Sequence, residues 1–223
     1  MLLKISTVKE EVPGVFSLIF DKPAYFHSYP GQYLDYELPV KDPDGNTRSF
    51  TISSSPTENF LMLSTRHGIT PFKKLLETLK PGVEIKTSHP AGTFTLDEKS
   101  PAVMIAGGIG ITPFRSMIKW AYDNHLNIHI KLIYANSDAD FPFKNELDKW
   151  KKELKNLKID YINTTIQGKL DARKLKFLTT NYSLPSTVYY LAGPPKMVTS
   201  FEKTLLSEGV DKTNIRYDEF DGY

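Results

Sequence analysis

The apolar positions of this chain change rhythm near residue 100. From Leu2 to about Leu96 they fall in short β-type runs, LLKISTV, VFSLIF, QYLDYEL, SFTIS, FLMLSTR and VEIKTS. Turn pairs separate them, at Pro13-Gly14, Pro30-Gly31, Asp44-Gly45 and Pro81-Gly82. Short strands with such punctuation suit a small antiparallel barrel better than a parallel sheet. One helix, Pro71 to Leu79, interrupts them. After Lys99 each buried strand is followed by a helix: AVMIAG then PFRSMIKWAYDN, HIKLIYAN then KNELDKWKKEL, IDYINTT then DARKLKFLTT, TVYYLAG then PKMVTSFEKTLLSEG. Four such pairs predict βαβ units and a doubly wound α/β domain, its parallel sheet covered on both faces. A boundary near Asp97 to Ser100 follows, giving two domains, residues 1–98 and 99–223.

The pentapeptide GITPF occurs in both halves, at Gly68 to Phe72 and at Gly110 to Phe114. Its flanks belong to different architectures and the spacing is not sustained, so duplication does not explain it. In each copy Thr precedes Pro, and Pro is favoured at the first helical position because its missing N–H needs no partner there. Thr70 and Thr112 therefore read as N-caps. A helix start opened by glycine, with free N–H groups and the positive end of the helix dipole, favours an anion such as phosphate. The second copy follows Ala106-Gly107-Gly108-Ile109 at the carboxyl end of a buried strand, where open parallel sheets bind ligands. Its glycines fall as G-G-x-G, which is not the G-x-G-x-x-G dinucleotide fingerprint.

Composition narrows the chemistry. The 28 basic and 26 acidic side chains nearly cancel, and Lys is spread along the chain, so no footprint for nucleic acid stands out. With no cysteine there are no disulfides, thiolate nucleophiles or cysteine-held iron–sulfur clusters. Redox chemistry in this chain must rest on a bound organic cofactor. MLLKISTVKEEVPG lacks the plan of a signal peptide and no apolar run approaches a membrane span, which points to a soluble, cytoplasmic protein.

Three segments, in one order and spanning nearly the whole chain, carry a resemblance. Arg48-Ser49-Phe50-Thr51, running on as ISSSP, resembles the R-x-[YF]-[ST] flavin motif of the ferredoxin-NADP reductase superfamily. GGIGITPFRSM resembles its glycine-rich nicotinamide segment. Leu191-Ala192-Gly193-Pro194-Pro195-Lys196-Met197 resembles its C-G-P-P-x-M segment, with Ala192 in place of Cys.

The resemblance implies a flavin-binding β-barrel followed by a nicotinamide-nucleotide-binding α/β domain, with FAD as cofactor and NADH or NADPH as co-substrate. It implies that Arg48 meets the flavin phosphate with its planar, permanently charged fork. Ser49 and Ser64 contribute to the same cofactor site, Phe50 lies against the isoalloxazine, and Thr51 sets its hydroxyl near the flavin N5. Ser53, Ser54 and Ser55 add polar groups without an evident reason in the fold. Gly68, Ile69, Thr70 and Pro71, with Arg66 assisting, hold the flavin pyrophosphate. Gly107, Gly108, Gly110, Thr112 and Pro113 receive the pyrophosphate of the nicotinamide nucleotide, and Ala192, Gly193 and Pro194 flank its ring. Met197 reads as a packing residue. Near the C-terminus Glu219 and Phe220 are the acidic and aromatic residues expected to reach the flavin, with Tyr223 an alternative for stacking.

After the second parallel strand, Asp138 and Asp140 stand where relatives using NADPH carry a base, so NADH is expected unless Lys144 folds back. The implied activity is hydride transfer from NAD(P)H to FAD, then electron transfer to a protein such as a ferredoxin or flavodoxin, or to a small molecule. Any iron–sulfur centre sits on a partner. Alternatives are a flavin reductase that releases reduced flavin, an FAD-binding subunit of a larger complex, and a non-redox nucleotide-binding module.

Overall fold

The computed structural model describes residues 1–179 and 186–220. Six strands make the first sheet: β1 (Leu2–Val12), β2 (Val15–Asp21), β3 (Tyr33–Glu37), β4 (Thr47–Thr51), β5 (Phe60–Arg66) and β6 (Glu84–Thr87). They pair antiparallel in the order β4-β3-β6-β1-β2-β5. A bridge between Ile52 and Leu63, and a 2.7 Å bond from Ser53 N to Met62 O, join the two outer strands and close the barrel. Its interior is filled by alternate residues such as Leu3, Ile5, Leu18, Leu34 and Leu63. Helix α1 (Pro71–Thr78) adds Phe72 and Leu76 to that core.

The second sheet holds five parallel strands: β7 (Ala102–Gly107), β8 (Ile130–Asn136), β9 (Leu157–Asn163), β10 (Val188–Gly193) and β11 (Ile215–Glu219), in the order β11-β10-β7-β8-β9. Strand β11 is a fifth member beyond the four strand–helix pairs that the sequence pattern predicts. One face packs on α2 (Ile111–Asp123) and α3 (Lys144–Glu153) through Ile111, Phe114, Leu147 and Trp150. The other packs on α5 (Ala172–Thr179) and α6 (Pro195–Ser207) through Leu175, Val198, Phe201 and Leu205. The run IDYINTT divides between β9 and a four-residue helix, α4 (Thr164–Gln167). The doubly wound α/β expectation and the antiparallel barrel both hold.

The two sheets share a polar seam. Arg115 on α2 is 2% exposed and holds Glu58 and Glu146 with paired bonds of 2.8–3.1 Å, while its Nη1 donates to Ser53 O at 2.9 Å. Ser116 Oγ donates to Ser54 O at 2.7 Å, and Ser54 Oγ accepts from Met62 N. Ser55 N donates to Glu58. The serine run thus has a part in the fold: the Ser53 and Ser54 carbonyls fasten the barrel to α2, and the Ser54 hydroxyl ties the run to β5. Phe94 and Leu96, just before β7, sit in the core of the second sheet, and Arg216 on β11 reaches back to Thr95 O at 2.6 Å.

Among the described residues no helix is long and apolar enough to cross a membrane, and no group of three or more His, Asp or Glu is placed to hold a metal.

Candidate functional site

Strand order in the second sheet reverses beside β7: β8 and β9 extend it one way, β10 and β11 the other. Carboxyl ends of strands at such a switch point diverge and leave a crevice. A cleft of about 650 Å³ opens there, lined by Gly107 and Gly108 after β7, Asn136 and Ser137 after β8, and Pro194 after β10. Arg66, from the end of β5, enters from the barrel side, and Lys169 and Lys196 complete a cationic lining that includes no carboxylate among the described residues. A wall of this sign favours a pyrophosphate.

The glycines do different jobs. Gly108 has φ +55°, in the left-handed region that glycine adopts freely, and a Cβ there would stand 3.1 Å from the Arg66 guanidinium. At Gly110 a Cβ would lie 2.2 Å from Ala192 O, so this glycine lets α2 begin against β10 and acts through packing. Residues Gly108–Gly110 form a 3-10 turn that runs straight into α2. The helix therefore starts before Thr112, and Thr112 is not its N-cap: it is buried within the first turn, with its hydroxyl donating to Ile109 O at 3.1 Å. Pro113 likewise falls at the third helical position and not the first. Ala192, the residue standing for the family Cys, is fully buried in the core beneath α2 and is not among the residues lining the cleft. Met197 packs over Gly107 and Gly193, where a Cβ would meet it at 2.5 and 2.7 Å.

Arg66 also departs from expectation. Its Nη2 donates to Asn136 Oδ1 at 2.8 Å, tying the barrel to the end of β8 beside Gly108 instead of to the first GITPF. Asp138, counted on to repel a 2'-phosphate, has its carboxylate turned into its own loop, accepting from Asn136 Nδ2 and Asp140 N. Lys144 does not fold back; it pairs with Asp148 at 2.5 Å.

At the first GITPF, Thr70 is the N-cap of α1, its hydroxyl accepting from Lys73 N at 3.3 Å, with Pro71 opening the helix. Ile69 is 88% exposed beside it. Gly68 N donates to Glu77, which also pairs with His67. Arg48 is 5% exposed and lies on the inward face of β4 with Phe50, whose ring stacks on Phe72 at 6.2 Å. Thr51 and Ser64 are buried, Ser64 sharing a 2.7 Å hydroxyl contact with Ser17, while Ser49 is exposed and donates to Asp35. Sequence reasoning missed Lys73, buried above the Phe50 ring, with Nζ on Thr65 Oγ1. Burial lowers its amine to about 8, against the pull of Glu77.

The barrel passes one test for a flavin phosphate. Arg48 and the first turn of α1 are an anion-binding donor set, and a carboxylate, that of Asp42, already sits on it as a stand-in: Arg48 Nη2 donates to its Oδ1 at 2.8 Å and Phe72 N to its Oδ2 at 3.0 Å.

The last strand brings two further groups to the cleft region. Phe220 lines the cleft, its N–H donating to Gly193 O at 3.0 Å, while Glu219 is exposed on the opposite face of β11. Asp218, on the Phe220 face, lines a smaller hollow with Gly31, Tyr33 and Phe94 of the barrel side. Burial pushes the Asp218 carboxyl up to about 6. Asp221 to Tyr223, including the alternative Tyr223, lie outside the described residues.

The folded chain therefore holds the Asp218 proton more tightly than the unfolded one, whose carboxyl titrates near 4. Between about pH 4 and pH 6 stability should fall as pH rises, then level off. Asp218→Asn should flatten that slope and stabilise the protein at pH 7 by on the order of 1–2 kcal/mol, residual exposure trimming the full value. Thermal denaturation across that range, with parallel profiles for variant and parent, would count against it.

Comparison with known proteins agrees with the fold. Residues 104–203 match the family model of the oxidoreductase NAD-binding domain. The chain is 26% identical over 208 residues to flavohemoprotein A of Dictyostelium discoideum, covering 86% of this chain and 52% of that protein. It is 24% identical over 221 residues to the glycine betaine monooxygenase reductase subunit of Chromohalobacter salexigens, covering 92% and 59%. The chain thus spans little more than half the length of the relatives it matches. Its fold superposes on a ferredoxin NADP+ reductase from Neisseria gonorrhoeae, solved with bound FAD and NADP, with a TM-score of 0.83 at 20% identity, covering 100% of this chain and 98% of that one.

Proposed function

We propose that the chain is a ferredoxin-NADP reductase-like protein that takes hydride from NAD(P)H onto bound FAD and hands the electrons to a separate acceptor, a reading supported by the oxidoreductase NAD-binding match over residues 104–203 and by the fold it shares with a ferredoxin NADP+ reductase. The observation that carries this reading is the switch-point cleft, where Gly107, Gly108, Pro194, Arg66 and Phe220 converge. Residues 1–98 serve as the flavin half and 99–223 as the nicotinamide half.

Amides of the Gly108–Gly110 turn, with Arg66, Lys169 and Lys196, hold the dinucleotide's pyrophosphate and neutralise it. Gly193 and Pro194 let the reacting ring approach the sheet end, and Phe220 covers that end and keeps water out. In the barrel, Arg48, Ser49, Phe50, Thr51, Ser64 and the Gly68–Pro71 turn hold the flavin, Arg48 meeting its phosphate. FAD, when bound, supplies the two-electron acceptor and the route onward. The protein's part is to fix distance and orientation, which is where most of the rate advantage of such an enzyme lies. No thiol takes part, since the chain has none.

NADH is the preferred donor, because exposed Asp140 follows β8 and Lys144, held by Asp148, does not offset its charge. The acceptor is a partner redox protein or a small oxidant. A relative such as the glycine betaine monooxygenase reductase subunit supports delivery to an oxygenase component. One observation favours a second reading, a flavin reductase that exchanges its flavin: the carboxylate already seated on Arg48. Steady-state reduction of an acceptor panel by the FAD-supplied protein, with NADH and NADPH compared, tests the proposal. Turnover with kcat/KM at least about fivefold higher for NADH is expected, one unfavourable charge being worth about 1 kcal/mol; no turnover with either nucleotide sinks it.

A further inference from the structure

The hairpin between β3 and β4 carries Asp42, and its side chain is 1% exposed although most of its neighbours from Lys41 to Thr47 are open to solvent. Oδ1 accepts from Arg48 Nη2 at 2.8 Å and from Asp44 N at 3.1 Å; Oδ2 accepts from Phe72 N, in the first turn of α1, at 3.0 Å. The other guanidinium nitrogen, Nη1, donates to the carbonyls of Asp44, Gly45 and Thr47, which pins Arg48 under the same hairpin. Thr70 takes the next amide of the helix, that of Lys73. These bonds lower the Asp42 carboxyl from its usual value, the Phe72 amide first among them.

A phosphate needs what Asp42 is using: an arginine fork and the positive end of a helix. Two anions cannot share those donors, since like charges a few ångströms apart repel and the donors are few. We propose that Asp42 is a built-in competitor for the flavin's phosphate, so that this chain binds phosphate-bearing flavins weakly and exchangeably, and loads them only when the hairpin lifts Asp42 off Arg48 and α1. The inference rests on the reading of the barrel as the flavin site, and it decides between flavin held as a prosthetic group and flavin handled as a substrate.

Riboflavin and FMN differ by one phosphate and isolate the effect. Fluorescence titration of the wild-type chain with riboflavin, FMN and FAD should show FMN and FAD binding no more than about threefold tighter than riboflavin. Asp42→Asn keeps an acceptor for the Phe72 amide while removing the charge, and Asp42→Ser clears the seat; each should tighten FMN and FAD by about tenfold or more, the worth of a charged hydrogen bond, and leave riboflavin unchanged. Thermal melts and NADH binding confirm that the variants are folded, and the wild-type ratio stands even if they are not. Wild-type FMN and FAD binding a hundredfold tighter than riboflavin overturns the inference and leaves the proposed function intact. So does flavin binding that neither folded variant improves. Absence of flavin binding in every form overturns both.

Discussion

Replacing Arg115 by Leu is expected to destabilise the protein by about 3–5 kcal/mol, the usual cost of removing one partner from a buried ion-paired cluster. The guanidinium is 2% exposed, makes two-pronged contacts with Glu58 and Glu146, and lies over the Phe143 and Trp150 rings. Leu fills part of the volume and leaves Glu58, itself mostly buried, and the Ser53 carbonyl without their donor. For a chain of this size the midpoint should drop by roughly 10–15 °C. Glu58 and Ser53 belong to the barrel side and Arg115 and Glu146 to the other, so the two halves should lose their joint transition. Adding Glu58→Gln to Arg115→Leu should recover part of the loss, because the stranded charge goes. A melting curve for Arg115→Leu that overlays the parent's would mean the seam contributes nothing.

The second large effect is at Arg66. Arg66→Glu should weaken NADH binding by about a hundredfold: a charged hydrogen bond to phosphate is worth about 1.5–3 kcal/mol, and a carboxylate facing the pyrophosphate adds about 1 more. The side chain is partly exposed, so the melting temperature should move by only a few degrees. Isothermal titration with NADH, and flavin titration on the same variant, separate two assignments. Loss of nicotinamide binding with flavin binding kept agrees with the guanidinium beside Gly108 and Asn136. Loss of flavin binding with NADH unaffected returns Arg66 to the first GITPF.

The alternation of strand and helix was legible because burial imposes it: a parallel strand covered on both faces must be apolar throughout, as AVMIAG and VYYLAG are. Strand β11 escaped because IRYDE is an edge strand with only Ile215 fully buried and Arg216 and Asp218 half-buried, and a polar edge reads like a tail. The two GITPF segments are identical in letters and unlike in structure. Thr70 caps a helix that begins at Pro71, whereas the turn before Thr112 is already helical because Gly110 packs against Ala192 O, a contact between distant segments that no local pattern displays.

Site residues followed the same division. R-S-F-T advertises an anion-binding arginine, but nothing in KDPDGN announces that Asp42 will fold onto the start of α1 and take that arginine first. Ser53 and Ser54 looked spare because the partners of their carbonyls, Arg115 and Ser116, lie on the far side of the seam. Lys169 and Lys196 went unnoticed among evenly spread lysines until the fold brought them to one cleft. An acidic substitution at Thr112, attractive as a probe of nucleotide binding while that residue read as a cap, would instead bury a charge inside α2 and report on folding.

Anaerobic mixing of the FAD-loaded protein with NADH tests the central claim most directly. The account predicts rapid bleaching of the flavin's visible absorbance, with NAD+ formed in equal amount, and a much slower phase in Arg66→Glu at the same subsaturating NADH. Bound FAD that stays oxidised in the presence of both NADH and NADPH would contradict it.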